Sequence, residues 1–149
     1  LDSRVPTEIV FDQGIGDIFV GRVAGNFVNT DMLGSFEFGT AVAGAKVIVV
    51  LGHSSCGAIM GAIDQAELGN LTSTLANIEP AVRAAGRMGD RSSGNTALVE
   101  RVTIENVQKA MDDITARSPV LAGLVADGKL LVVGGVYDLA TGEITWLDS

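Results

Sequence analysis

Val47-Ile48-Val49-Val50-Leu51 is continuously apolar, mostly β-branched, and stops at Gly52. Such a run reads as a strand buried on both faces, which occurs in parallel sheets covered by helices. A chain with that strand near its centre is held to an α/β architecture. The loop that follows, Gly52-His53-Ser54-Ser55-Cys56-Gly57, carries the only histidine and the only cysteine of the chain. In open α/β sheets ligands bind beyond the carboxyl ends of the strands, which is where this loop falls.

The flanking pattern fits that architecture. Ile9–Phe11 reads as a brief helix or turn and Ile18–Val23 as a strand. Asp31 is the expected N-cap of a helix over Met32–Ala45. Gly57–Leu68 reads as a helix that begins in the ligand loop. Leu71–Ala85 is helical in pattern, with a break or kink at Pro80. Gly86–Gly94 is polar and glycine-rich, hence a loop and the most mobile part of the chain. Thr96–Arg117 is a long amphipathic helix, with Val99, Val102, Val107, Met111 and Ile114 near one face. Pro119–Ala126 is a short helix. Leu130–Val133 and Ile144–Leu147, with the turn at Ala140-Thr141-Gly142, close the chain as a strand and hairpin partner. The expectation is one domain over residues 1–149: an open, mostly parallel sheet flanked by helices on both faces.

Composition removes several function classes. A net charge of −8 leaves no basic surface for nucleic acid. No stretch approaches the roughly 20 apolar residues needed to cross a bilayer. A single cysteine excludes an internal disulfide framework and fits a reducing compartment or a metal role, and the expected localisation is cytoplasmic. The chain opens at Leu1 without a methionine and reads as starting mid-domain. Gly14 and Gly16 begin a dinucleotide-like spacing, but Phe19 occupies the third glycine position.

Two clusters carry chemistry. His53-x-x-Cys56 can place an imidazole nitrogen and a sulfur on one zinc ion, and Gly52 gives its loop backbone freedom. Cys56 also lies at a helix start, where the dipole favours thiolate. The plainer reading is a buried cysteine beside an ordinary loop histidine. Asp2-Ser3-Arg4, expected after a first strand, is either a surface ion pair or a functional one. In the functional reading Arg4 grips Asp2 bidentately, so that the carboxylate stays ionised toward whatever the metal holds, or swings over and ligates it.

Taken together these residues resemble the β-class carbonic anhydrases. Asp2-Ser3-Arg4-Val5-Pro6-Thr7-Glu8 is similar to the segment that follows that family's first zinc cysteine. Gly16-Asp17-Ile18-Phe19-Val20 with Arg22-Val23-Ala24-Gly25-Asn26 resembles its second-strand motif. Gly52-His53-Ser54-Ser55-Cys56-Gly57-Ala58 is similar to its second ligand loop, and Tyr137-Asp138-Leu139 with Thr141-Gly142 to its closing hairpin. The resemblance implies a zinc lyase that reversibly hydrates CO2 to bicarbonate and a proton. His53 and Cys56 would be metal ligands, with Asp2 a further ligand in a resting form. Asp2 and Arg4 would be the catalytic pair, and the Gly57 amide would lie close to substrate. Arg22 matches an arginine that in one subgroup contributes to a non-catalytic bicarbonate site.

It further implies a homodimer or larger homo-oligomer with the site at the subunit interface. The family's first zinc cysteine belongs immediately before Leu1, with its N-terminal helices and leading strand upstream, so the chain reads as a truncated or partial form, with a genuinely short relative as the alternative. Two rival readings use the same residues. One is a thiol hydrolase with Cys56 as nucleophile and His53 as base. The other is a zinc-lacking relative that serves as an assembly or bicarbonate-binding subunit. Carbon disulfide is an alternative substrate for the zinc scaffold.

Overall fold

A computed structural model describes residues 1–86 and 89–147. The continuous apolar run forms β1 (Val47–His53), which pairs in parallel with β2 (Leu131–Tyr137). In register, His53 stands opposite Tyr137 at the carboxyl ends. The short β3 (Ile144–Trp146) pairs antiparallel with β2, giving a mixed sheet in the order β1-β2-β3. The hairpin between β2 and β3 is shaped by Asp138, whose Oδ1 accepts the Ala140 amide at 2.8 Å. Its carbonyl accepts the amide of Gly142, itself at φ +77°.

The described residues form seven α-helices: α1 (Thr7–Val10), α2 (Thr30–Glu37), α3 (Gly57–Ile63), α4 (Gly69–Ala76), α5 (Glu79–Ala84), α6 (Thr96–Arg117) and α7 (Pro119–Ala126). The long helix α6 follows its sequence pattern from end to end. Asn95 caps it by accepting the Leu98 amide, and the face Leu98, Val99, Val102, Thr103, Asn106, Val107, Ala110, Met111 and Ile114 is buried. Its first half packs with α3, α4 and α5, and its second half with α2, β1 and α7. The same helix thus holds both halves of the molecule together.

The helix reaches the sheet closely because two strand positions lack side chains. A Cβ on Gly52 would lie 2.7 Å from Val107 Cγ2 and 3.1 Å from Thr103 Cγ2. A Cβ on Gly134, in β2, would lie 2.4 Å from Met111 Sδ and 2.7 Å from Val107 Cγ1. Val107 is fully buried and β-branched, so it has little room to yield.

Several expectations change. The cap of α2 is Asn29, not Asp31: its extended backbone lets Oδ1 accept the Met32 amide at 2.9 Å. Asp31 sits in the first turn, where its charge complements the dipole. The helix does not run to Ala45 in α geometry, because Phe38–Val42 form a π turn that ends at Gly44, φ +84°. The helix expected over Gly57–Leu68 stops at Ile63. Leu71–Ala85 divides into α4 and α5, with Pro80 in the first turn of α5, where its missing N–H is harmless.

Ile18–Val23 enters no sheet among the described residues. A strand exists only as part of a ladder, and no strand among the described residues flanks this segment. The sheet is also not covered on both faces by the described residues. Ile48, Val50 and Gly52 are buried toward α6, whereas Val47, Val49 and Leu131 on the opposite face are 47%, 38% and 55% exposed. The loop expected over Gly86–Gly94 is non-helical where described; its Arg87 and Met88 lie outside the described residues. None of the described helices is long and apolar enough to cross a membrane.

The contact between α6 and the sheet yields the first prediction. Gly134→Ala forces its new methyl into Val107 and should lower stability by about 1–3 kcal/mol. Urea denaturation should show a lower midpoint with an unchanged slope; an unchanged midpoint would mean that the helix stands farther from the strand than described.

Candidate active site

The site assembles at the carboxyl end of β1. His53 is the last residue of the strand, and Cys56 precedes α3 as its N-cap residue. Ser55 between them has φ +52°, a left-handed turn that folds the loop back. Ser54 fastens this loop. Its amide donates to Tyr137 O at 2.9 Å, and its Oγ accepts the Leu139 amide at 2.9 Å. The hairpin after β2 is thereby tied to the ligand loop.

The Ser54 carbonyl lies 2.9 Å from His53 Nδ1. A carbonyl only accepts, so Nδ1 carries the hydrogen and the lone pair resides on Nε2. Nε2 points toward Asp2, 3.6 Å from its Oδ2. Cys56 is buried, and its sulfur is hydrogen-bonded to the His53 ring and to the Ile59 and Ala58 amides. Burial alone pushes the Cys56 thiol up, but those donors outweigh it and leave the group below its ordinary range. Burial likewise works against a charged His53, while Cys56 and the Ser54 carbonyl hold its proton more firmly, so its pKa is raised.

Asp2 is gripped as the sequence suggests. Arg4 Nε donates to Oδ1 at 2.8 Å, Nη2 to Oδ2 at 2.5 Å, and the Arg4 amide to Oδ1 at 2.9 Å. Arg4 Nη2 also reaches Ser55 O at 3.3 Å, which links the pair to the ligand loop. The Arg4 side chain, then its amide, hold the Asp2 carboxyl well below the usual carboxylate range. Asp2 is therefore held as an anion to pH values well below the usual carboxylate range.

Four of the sequence-chosen residues, Asp2, Arg4, His53 and Cys56, come together here. Gly57 opens α3 directly after Cys56, and a Cβ there would meet nothing within 4 Å, so the space beside it is open. Among the described residues, no three His, Cys, Asp or Glu side chains form a group able to hold a metal. The donors present fit zinc in kind: an imidazole nitrogen with its lone pair free and a sulfur with depressed pKa. The rival thiol-hydrolase arrangement accounts for His53 and Cys56 but leaves the Asp2–Arg4 pair without a role.

Sequence reasoning missed Ser54, whose three polar groups all position the loop, and the place of Arg22. Arg22 Nη2 donates to the Asp2 carbonyl at 2.5 Å, so a second arginine holds the other end of the same residue. It also passed over Asn106, a polar residue on the apolar face of α6. That position was legible: it lies one turn from both Val102 and Ala110.

The site thus sets an imidazole nitrogen and a sulfur at a strand end of an α/β sheet, with an arginine-held aspartate over them. The carbonic anhydrase family model matches residues 1–144. Carbonic anhydrase 2 of Mycobacterium tuberculosis is 36% identical over 152 aligned residues, covering 99% of this chain and 70% of the relative. The carbonic anhydrase of Mycolicibacterium smegmatis is 34% identical, covering 96% and 69%. Among solved structures, a tetrameric β-carbonic anhydrase of the filamentous ascomycete Sordaria macrospora superposes with a TM-score of 0.86 at 26% identity, covering 99% of this chain and 77% of that one. The chain belongs to the carbonic anhydrase family, in its β class.

The electrostatics of Asp2 can be checked directly. Its folded pKa is depressed, so Asp2 adds stability above its unfolded value of about 3.9, and this is lost as pH falls through the folded pKa. Arg4→Ala should return the carboxyl upward. Carbon NMR should then show Asp2 titrating near pH ~4 in the variant and no inflection above pH ~3 in the parent. Identical titrations would show that Arg4 does not hold it.

Proposed function

We propose that this enzyme hydrates CO2 reversibly on a zinc ion held by His53 Nε2 and Cys56 Sγ, with Asp2 and Arg4 as its catalytic pair. The observation that carries the reading is Asp2 Oδ2 at 3.6 Å from His53 Nε2 while Arg4 engages the same carboxylate. A catalytic zinc takes three protein donors. The third is either Asp2, released from Arg4, or a residue outside 1–149, and the sequence resemblance puts a cysteine immediately before Leu1.

When bound, zinc supplies a Lewis acid that makes water acidic near neutrality. Asp2 does the orienting. As a fixed anion it accepts a hydrogen bond from the attacking oxygen, leaving a lone pair of that oxygen aimed at the CO2 carbon. Arg4 keeps Asp2 ionised and directed, and the Gly57 amide would receive a substrate oxygen, a role supported by the open space beside it. The balance is CO2 and water giving bicarbonate and a proton. His53 is the only histidine and is committed to the metal, so the proton leaves to buffer or to a carboxylate.

Assembly into homodimers or larger homo-oligomers is supported by the exposed apolar groups Val47, Val49, Leu131, Phe19, Phe38 and Trp146. The Sordaria relative is itself described as tetrameric. A cytoplasmic setting is supported by the lone, unpaired Cys56.

His53→Ala and Cys56→Ser should each abolish both zinc binding and CO2 hydration in the zinc-loaded enzyme, measured by elemental analysis and stopped-flow hydration. Arg4→Ala should retain most of the zinc and lose turnover by about a hundredfold or more. Full zinc and full activity in either ligand variant would overturn the assignment, and unaltered turnover of Arg4→Ala would remove the pair from the mechanism.

A further inference from the structure

Asn106 is 2% exposed within the apolar face of α6, one turn from Val102 and Ala110. A buried amide is tolerated when it is hydrogen-bonded. Its Nδ2 donates to Gly25 O at 2.8 Å and to Asn26 Oδ1 at 3.1 Å. Those two residues form the left-handed corner of a turn, at φ +81° and +38°, which the Asn26 amide closes on Val23 O at 3.3 Å. Left-handed backbone is costly for asparagine and persists where surroundings over-determine it. Asn26 Nδ2 is buried with no partner among the described residues, because Oδ1 is turned to Asn106. On its other side the turn is pressed against the helices: a Cβ on Gly25 would lie 2.4 Å from Ile78 Cδ1 and 3.7 Å from Ala58 Cβ. Ala58 is in the first turn of α3, two residues past Cys56.

The same turn carries the aspartate. Val23 O accepts Leu1 N at 3.2 Å, and Arg22 Nη2 donates to Asp2 O at 2.5 Å. The bonds between Asp2 and Arg4 lie within three consecutive residues and cannot set where the pair stands relative to His53. That place is set by bonds that leave the segment, to Val23, from Arg22 and to Ser55. Two of these three end on the Arg22–Val23 edge of the turn.

We infer that Asn106 is a positioning residue for CO2 hydration: it fixes the Val23–Asn26 turn and, through it, the place of Asp2 against His53. The inference rests on the catalytic reading of Asp2 given above. Asn106 touches neither substrate nor metal. It acts from the buried face of α6, the helix that also sets the end of β1 through Gly52.

The test compares three variants of the zinc-loaded enzyme with the parent. Asn106→Ala should keep its zinc while kcat falls about ten- to a hundredfold with little change in KM. Amide hydrogen exchange should rise in residues 1–5 and 22–27, with β1 and α3 as protected as in the parent. Ile114→Val trims the same buried face two turns away; it should lower the thermal midpoint and leave kcat unchanged. Asn26→Gly keeps the left-handed corner, removes the Oδ1 acceptor together with the unpartnered Nδ2, and should lower kcat by about threefold. It decides the matter should Asn106→Ala fail to fold. Parental kcat in these two asparagine variants, or an exchange increase spread evenly over the domain, would overturn the inference. A zinc-loaded parent that does not hydrate CO2 would instead overturn the reading of the site.

Discussion

Helix α6 lies against the β1–β2 pair at two places where the strands have no side chain, and the site depends on that approach. Gly52 immediately precedes His53, so the depth at which Val107 and Thr103 seat on Gly52 sets the height of the imidazole. Gly134 does the same for β2, whose end carries Tyr137 and the hairpin that fastens Ser54. Interiors are close-packed, so a methyl group at either glycine would be transmitted along the strand rather than absorbed. The metal-ligand loop thus inherits its position from a packing constraint on a helix far from it in sequence.

The electrostatics divide between two devices that share almost no atoms. His53 and Cys56 are tuned by local backbone: a carbonyl on Nδ1, amides on sulfur, and each other. Asp2 is tuned by Arg4, and its main chain is held by Arg22. The hydrogen bond from Arg4 Nη2 to Ser55 O, at 3.3 Å, joins the two devices. This separation matters chemically. Were the carboxylate fixed by His53 itself, ionising either group would displace the other; held from outside, Asp2 keeps its charge and direction whatever state the donors adopt.

What the sequence makes legible follows from how local each cause is. Helix α6 can be read from residue spacing because one amphipathic face decides it, and β1 because its run is uninterrupted. The motif residues Asp2, Arg4, His53 and Cys56 stand out by side-chain chemistry and cluster as expected. Ile18–Val23 misleads because strand propensity is only a fit to a ladder, and here no ladder flanks it. Asn29 is overlooked in favour of Asp31 because both are good caps, and the choice rests on which backbone is extended. Ser54 and Asn106 are harder still. Their roles lie in bonds to Leu139, Gly25 and Asn26, residues about eighty positions away, which no spacing rule reaches.

The paired shifts of His53 and Cys56 bear on how a metal would enter. Burial disfavours both charges, yet the hydrogen bond between them moves each toward its ionised form. Sulfur is thereby moved toward the thiolate a metal requires, whereas a second ring proton, on Nε2, would take up the lone pair that the neutral imidazole offers. Zinc uptake must therefore expel that proton, and affinity falls as pH drops through the raised His53 value. Asp2 opposes this, because an anion 3.6 Å from Nε2 steadies the protonated ring. The carboxylate that would orient the attacking oxygen therefore also favours the protonated imidazole with which a metal would compete.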